Sequence, residues 1–252
     1  MSASPILATR NLGLDIGGAT IVADVGLEVL DGELLAVIGP NGAGKTTLFN
    51  LVSGLRMPTT GTIELAGVDI TAEPPYRRAK AGIGRTFQVS NVFPLLSVHE
   101  NVRLSAEAAK GGTMRIWRRA TGVRSAVDRA TWAIGRVGLV DREWWLAGML
   151  SHGDKRKLEL AMLLAADKRL LLLDEPMAGV SMEDVPELVE LIRSVHADEG
   201  KTVLMVEHHM EVVIGLAQRI AVLHGGALLA VDTPEAIMAN ETVRQAYLGE
   251  EL

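Results

Sequence analysis

The segment Gly39-Pro40-Asn41-Gly42-Ala43-Gly44-Lys45-Thr46 carries the most explicit chemistry in the chain and fits the pattern G-x-x-x-x-G-K-[ST]. Glycines at these positions let a loop fold back until several backbone N–H groups converge on phosphate oxygens at the start of a helix. Lys45 would reach the β- and γ-phosphates of a nucleotide, the Thr46 hydroxyl would bind Mg²⁺, and Thr47 completes the phosphate-facing set. A second segment, Leu170-Leu171-Leu172-Leu173-Asp174-Glu175, is an apolar strand ending in two carboxylates. Asp174 would hold Mg²⁺, directly or through water, and Glu175 would polarise an attacking water as general base. Alone, this run reads as a buried strand with a solvated acidic end. With the glycine-rich loop upstream the catalytic reading prevails, and the two together predict an ATPase using ATP and Mg²⁺.

A third segment, Leu150-Ser151-His152-Gly153-Asp154 followed by KRKLELAMLLA, opens a helix. Ser151 is placed to cap it, and Leu158, Ala161, Met162 and Ala165 share its apolar face. Lys155, Arg156 and Lys157 then fall in the first turn, where the helix dipole disfavours cations. A docked anion would remove that conflict. Taken alone, the segment reads as a plain capped helix with a solvated basic edge.

Positioning these residues needs alternating strands and helices. Ile6–Ala8 and Ile21–Leu30 read as strands, with turns at Gly17-Gly18 and Asp31-Gly32. The continuous apolar run Leu34–Ile38 has the pattern of a strand buried on both faces, and so do Leu170–Leu173 and Thr202–Val206. The helix after the glycine-rich loop places Leu48, Leu51, Val52 and Leu55 on one face. Hairpins are expected around Ala66-Gly67 and Gly225-Gly226, and Thr233-Pro234 opens a C-terminal helix. This is an α/β order. Residues 95–150 interrupt it with an arginine-rich helical stretch. Its Arg115, Arg118, Arg119, Arg124 and Arg129 form either a solvated face or a surface for anionic lipid.

Composition narrows the class. The chain has 252 residues, 48% of them hydrophobic and 4% aromatic, so aliphatic side chains must build the core. A net charge of −6 argues against a nucleic-acid partner, which needs a basic surface to neutralise phosphates. The absence of cysteine excludes disulfides and thiolate metal sites and fits a cytoplasmic protein. MSASPILATR lacks the basic start and apolar stretch of a secretory leader. No apolar run reaches the ~18 residues of a transmembrane helix.

In its ordered motifs the chain resembles the ATP-binding subunits of ABC transporters over nearly its whole length. LSHGD stands where that family has its LSGGQ-like signature, which closes on ATP held by the opposite subunit. On this resemblance Ser151 and Gly153 contact that ATP. Gln88 in GRTFQ matches the residue that senses the γ-phosphate, contacts Mg²⁺ and faces the transmembrane subunits. His208 in LMVEHHM matches the switch histidine, and Pro176–Ser181 the loop that crosses the dimer interface. The implied fold is a P-loop ATPase core with a mixed sheet, an N-terminal antiparallel β subdomain and an inserted helical subdomain. All of it forms one domain, 1–252: core residues 1–94 and 151–230, insertion 95–150, and helical tail 231–252.

GIGRTFQVSNVFPLLSVHENV and LSHGDKRKLELAMLLA further resemble the ATPases of branched-chain, or hydrophobic, amino-acid importers, with urea and amide importers as relatives. A soluble, non-transport ABC ATPase is the alternative of another class. The resemblance implies a second ATPase subunit, identical or paralogous, transmembrane permease subunits and, indirectly, a solute-binding protein. It places the chain on the cytoplasmic face of the membrane. The sequence departs from the family at several points. Ile16 stands where an aromatic residue usually stacks on adenine, and His152 and Asp154 replace a glycine and a glutamine. Ser181 stands for an aspartate, and His209 follows the switch histidine. Ser181-x-x-Asp184 reads instead as a capping box for the next helix.

Overall fold

A computed structural model describes residues 5–86, 92–109 and 119–246, without the side chains of 119–123. Gln88, Arg115 and Arg118 lie outside the described residues, and so does the side chain of Arg119. Near the N-terminus, Pro5–Ile16 (β1) is one continuous strand, longer than the Ile6–Ala8 segment expected. The run Ile21–Leu30 is split into Ala19–Val25 (β2) and Glu28–Leu30 (β3), which pair antiparallel with different halves of β1. Thr9 stitches the break: its hydroxyl donates to the Val25 carbonyl and accepts from Leu27 N–H, at 3.0 and 2.9 Å. Thr60–Leu65 (β5) joins β1 antiparallel and turns at Ala66-Gly67 into Val68–Asp69 (β6).

The second sheet has six strands in the order β11-β10-β4-β9-β8-β7. They are Leu34–Ile38 (β4), Ile83–Arg85 (β7), Leu170–Asp174 (β8), Thr202–Val206 (β9), Arg219–His224 (β10) and Ala227–Asp232 (β11). All neighbours run parallel except the β10–β11 hairpin. Successive side chains of a strand point to opposite faces. That is why the runs are apolar throughout: Leu34, Ala36 and Ile38 enter one core, Leu35 and Val37 the other. β8, β9 and β10 divide their residues in the same way. β7 was not foreseen; it is three residues long, and pairing with β8 holds it in place.

One core lies towards the antiparallel sheet and contains Leu48, Phe49, Leu51 and Val52 of the helix Lys45–Ser53 (α1). Leu55, expected on that face, falls beyond Gly54, whose positive φ of 81° ends the helix, and is exposed. Arg78 on Pro75–Ala81 (α2) is fully buried, and its guanidinium donates to the Leu51 and Val52 carbonyls at 2.6 and 3.0 Å. They belong to the last turn of α1, where acceptors are left over, although the Leu51 carbonyl also accepts from Gly54 N–H at 3.2 Å.

The other core joins Val98–Ala109 (α3), Arg119–Arg136 (α4), His152–Ala165 (α5) and Val185–Glu199 (α6) to the sheet. Short 3₁₀ turns at Val140–Arg142 and Ala147–Met149 lead into α5. Arg129 is not a free solvated cation: it pairs with Asp167 at 3.0 Å and lies 4.4 Å over the Trp132 ring, tying α4 to the end of α5. Met210–Leu216 (α7), Pro234–Ala239 (α8) and Glu241–Ala246 (α9) complete the chain. Thr233 caps α8 through its hydroxyl, with Pro234 opening the helix. No helix among the described residues is long and apolar enough to cross a membrane.

Candidate functional site

Parallel strands present their carboxyl ends together, and loops leaving that edge converge. β4, β9 and β8 are adjacent, with Val37 opposite Val206 and Val206 opposite Asp174. The glycine-rich loop, the 207–209 segment and the Asp174-Glu175 pair therefore leave one edge side by side. β7 is registered with Arg85 opposite Leu172, so Thr86 follows at that edge too.

Glycine is required in the loop at Gly39, where a Cβ would lie 2.2 Å from the Leu223 carbonyl oxygen. Gly44, at φ 97°, is the N-cap of α1 and supplies no side-chain acceptor, and the first turn holds no acidic residue. The first N–H groups of α1 are thus left for an external acceptor such as phosphate. Lys45 is buried and folded back, its Nζ donating to the Gly39 and Pro40 carbonyls at 2.5 and 2.9 Å. An ammonium held by loop carbonyls is poised to exchange them for phosphate oxygens. Asn41, Gly42 and Thr46 face solvent, Thr47 is half-buried, and Ala43 is buried.

At the end of β8, Asp174 is buried and bonded to Arg85, Nη2 to Oδ2 at 2.7 Å. The same guanidinium donates to Asn50 Oδ1 and Ser53 Oγ on α1, both at 2.8 Å. Glu175 follows with φ of 49°, a left-handed conformation costly for a side chain with a Cβ. Its N–H is held by the Val206 carbonyl at 2.9 Å, and the turn sends its carboxylate to His208: Oε1 lies 2.8 Å from Nε2. Glu207 is buried beneath them. It accepts from Met177 N–H at 3.2 Å, from His208 N–H at 2.9 Å and from His209 N–H at 3.3 Å, and it lies 2.8 Å from His209 Nδ1. One carboxylate thereby fixes both the loop after Glu175 and the loop bearing His208.

Asp174 and the Thr46 hydroxyl are hard oxygen donors that suit Mg²⁺, which typically takes one or two carboxylates and fills its shell with phosphate and water. No cluster of three or more His, Asp or Glu suited to a metal occurs among the described residues, so phosphate oxygens would have to complete the coordination. Gln88, the other expected metal contact, lies outside the described residues.

Ser151 caps α5 as expected, its Oγ accepting from Asp154 N–H at 3.1 Å. Two of the three basic residues that follow the cap find carboxylates inside the chain. Arg156 pairs with Glu159 at 2.8 Å and Lys157 with Glu187 at 2.6 Å. Ser181 does not cap the following helix: Asp184 is the N-cap of α6, and the Ser181 hydroxyl donates to its carboxylate at 2.7 Å. Gly153 abuts that carboxylate, since a Cβ there would meet Asp184 Oδ2 at 3.1 Å. The signature segment and the loop after Asp174-Glu175 are thus packed on each other within one chain. Ile16 ends β1 about half exposed.

The ABC transporter family profile matches residues 22–178. The chain belongs to that family. A profile for branched-chain amino acid ATP-binding cassette transporters matches residues 227–252 of this ABC ATPase. It is 38% identical to the high-affinity branched-chain amino acid transport ATP-binding protein LivG of Salmonella typhimurium, over 98% of each chain. It is 36% identical to BraF of Pseudomonas aeruginosa, a protein of the same description, again over 98% of each. The crystal structure of the ADP conformation of MJ1267, an ATP-binding cassette of an ABC transporter, superposes with a TM-score of 0.86 at 26% identity. That alignment covers 98% of this chain and 100% of the other. ATP binding and hydrolysis are the activity of this family. Sequence reasoning missed Arg85 and Glu207. The available signal was the same for both: a charged residue at the end of an otherwise apolar strand, next to a motif.

Proposed function

We propose that this ABC ATPase is the motor subunit of an importer for branched-chain or other hydrophobic amino acids, working on the cytoplasmic face of the membrane. The observation that carries the ATPase reading is the Glu175–His208 pair, 2.8 Å apart at the sheet edge that also carries the phosphate loop. The solute class is supported by end-to-end similarity to two cassettes named for that transport. Two subunits, identical or paralogous, sandwich two ATP molecules between residues 39–47 of one and Ser151 and Gly153 of the other. Permease subunits and a solute-binding protein complete the machine.

Arriving phosphates draw Lys45 away from the Gly39 and Pro40 carbonyls and dock on the first turn of α1. Thr46, Asp174 and Gln88 would hold Mg²⁺, whose charge neutralises the phosphates and stabilises the transferring group. Glu175 orients the attacking water and takes its proton, while His208 fixes the carboxylate and faces the γ-phosphate. The strained backbone at Glu175 fixes the direction of the carboxylate before substrate arrives. On this reading the chain is one domain, with 95–150 assigned to the insertion and 231–252 to the tail.

The test replaces Glu175 with Gln in the transporter reconstituted with its permeases. Phosphate release and ATP-dependent uptake of leucine, isoleucine or valine should both fall by about 100-fold or more, with ATP binding retained. Near-normal turnover would remove Glu175 from its role. Robust ATP-driven uptake of another solute class alone would overturn the amino-acid reading.

A further inference from the structure

The signature segment contains an ionic arrangement that the family pattern does not require. The Ser151 hydroxyl accepts from Asp154 N–H at 3.1 Å and donates to Asp154 Oδ2 at 3.0 Å. A serine has one proton, so its only donor is committed to this carboxylate. The same Oδ2 receives Nη1 of Arg142, from the 3₁₀ turn before α5. The Asp154 side chain is only 10% exposed, whereas that of Arg142 is 43% exposed, its guanidinium 5.8 Å over the Trp145 ring. Neither Arg156 nor Lys157 is directed at Asp154; they pair with Glu159 and Glu187.

We propose that Arg142 is a positioning residue for the Ser151 segment: it neutralises Asp154, so that Ser151 can turn its proton to an ATP phosphate on a facing subunit. The inference rests on the sandwich reading above. A neutral glutamine at position 154 would need no counter-charge. An aspartate there puts an anion beside the surface that must receive a triphosphate, and like charges so placed oppose docking. When Ser151 redirects its proton, Oδ2 loses one donor and keeps the guanidinium. Without Arg142 that carboxylate would be largely buried, uncompensated and facing phosphate, and Ser151 would remain bound to it. Arg142 and Asp154 together thus do the work of one neutral residue.

The test uses the full chain carrying Glu175→Gln, which favours the ATP-bound state, and follows ATP-driven association by sedimentation. Arg142→Gln, which keeps the length of the side chain, should raise the ATP concentration for half-maximal association at least about 10-fold. The deficit should grow as salt is lowered, because screening falls. Binding of ATP to the variant's own phosphate loop, read by nucleotide fluorescence in the monomer, should stay within about 2-fold of the parent, since 10-fold is the scale of a lost contact. Asp154→Gln should associate at least as readily as the parent. The double variant should return to the Asp154→Gln level, and Arg142→Lys should retain most of the parent's association. A structural role for Arg142 would leave the double variant as impaired as Arg142→Gln, and that result overturns the proposal. Equal association of Arg142→Gln and parent overturns it as well, with the sandwich intact. A parent that never associates with ATP overturns the sandwich reading and this proposal together.

Discussion

Arg85 and Asp174 form a buried ion pair at the carboxyl end of β8, and breaking it from one side tests how the site is held. At 2.7 Å and an effective dielectric of about 20, their attraction is about 6 kcal/mol. Burying two ions costs several kcal/mol each, so the intact pair contributes little net stability. Removing one partner is different, because the desolvation of the other then goes uncompensated. Arg85→Leu also strips donors from Asn50 and Ser53 on α1. The expected loss in nucleotide-free protein is about 3–5 kcal/mol, within the 5–15 kcal/mol that holds a typical fold. Asp174→Asn should cost less, since the amide keeps an acceptor for the guanidinium. The assay is urea denaturation of both single variants and the double, with the slope of free energy against urea checked for constancy. Joined partners should show a coupling energy of about 2 kcal/mol or more, in the direction that makes the double variant more stable than the sum of the singles predicts. Strict additivity would refute the claim that Arg85 holds Asp174 in place, whatever happens to hydrolysis.

Three further outcomes follow from the same geometry. Lys45→Ala should weaken ATP binding at least about 10-fold in fluorescence titration, because a charge-assisted contact to phosphate is lost; unchanged binding with blocked hydrolysis would give Lys45 a narrower role. Glu207→Gln keeps shape but halves the acceptors offered to Met177, His208 and His209, and should cost about 1–3 kcal/mol in urea denaturation for the N–H left unsatisfied. Ile16→Tyr, at a half-exposed position where no core packing is disturbed, should tighten ATP over GTP by up to about 1 kcal/mol, as measured by competition; no change would place adenine elsewhere.

The α/β class and the buried central strands were legible because each rests on a local pattern, whereas the mixed sheet was implied only by the family resemblance. Leu34–Ile38, Leu170–Leu173 and Thr202–Val206 are apolar at every position because both faces of the sheet are covered, which sequence alone states. Ser151 and Thr233 act as caps because a hydroxyl three residues before an N–H needs no tertiary help. Segments decided by distant partners were less legible. β7 exists because β8 supplies its ladder, and Ile21–Leu30 breaks because Thr9, far away in sequence, replaces the missing ladder bonds. The Lys155–Lys157 cluster was read against the helix dipole alone; the carboxylates that answer it include Glu187, on the next helix.

A pattern joins the residues that sequence reasoning passed over. Arg85, Glu207 and Arg142 are not the residues expected to touch ATP, yet each is bonded to one that is or to the loop that carries it. Arg85 ties Asp174 to the far half of α1, so the end of β8 and the helix after the glycine-rich loop are joined through one guanidinium. Glu207 ties the backbone of His208 to Met177, so the loop bearing His208 and the loop after Glu175 share one carboxylate. Arg142 ties Asp154, and through it Ser151, to the helical insertion. Breaking a buried ionic pair from one side is costly, because the other partner's desolvation is then uncompensated. A sheet edge that must bind, close on and release a triphosphate therefore gains from ionic ties behind its contact residues. The partners in such ties are three-dimensional neighbours, and the sequence shows at most a charged residue beside a motif, as at Arg85 and Glu207.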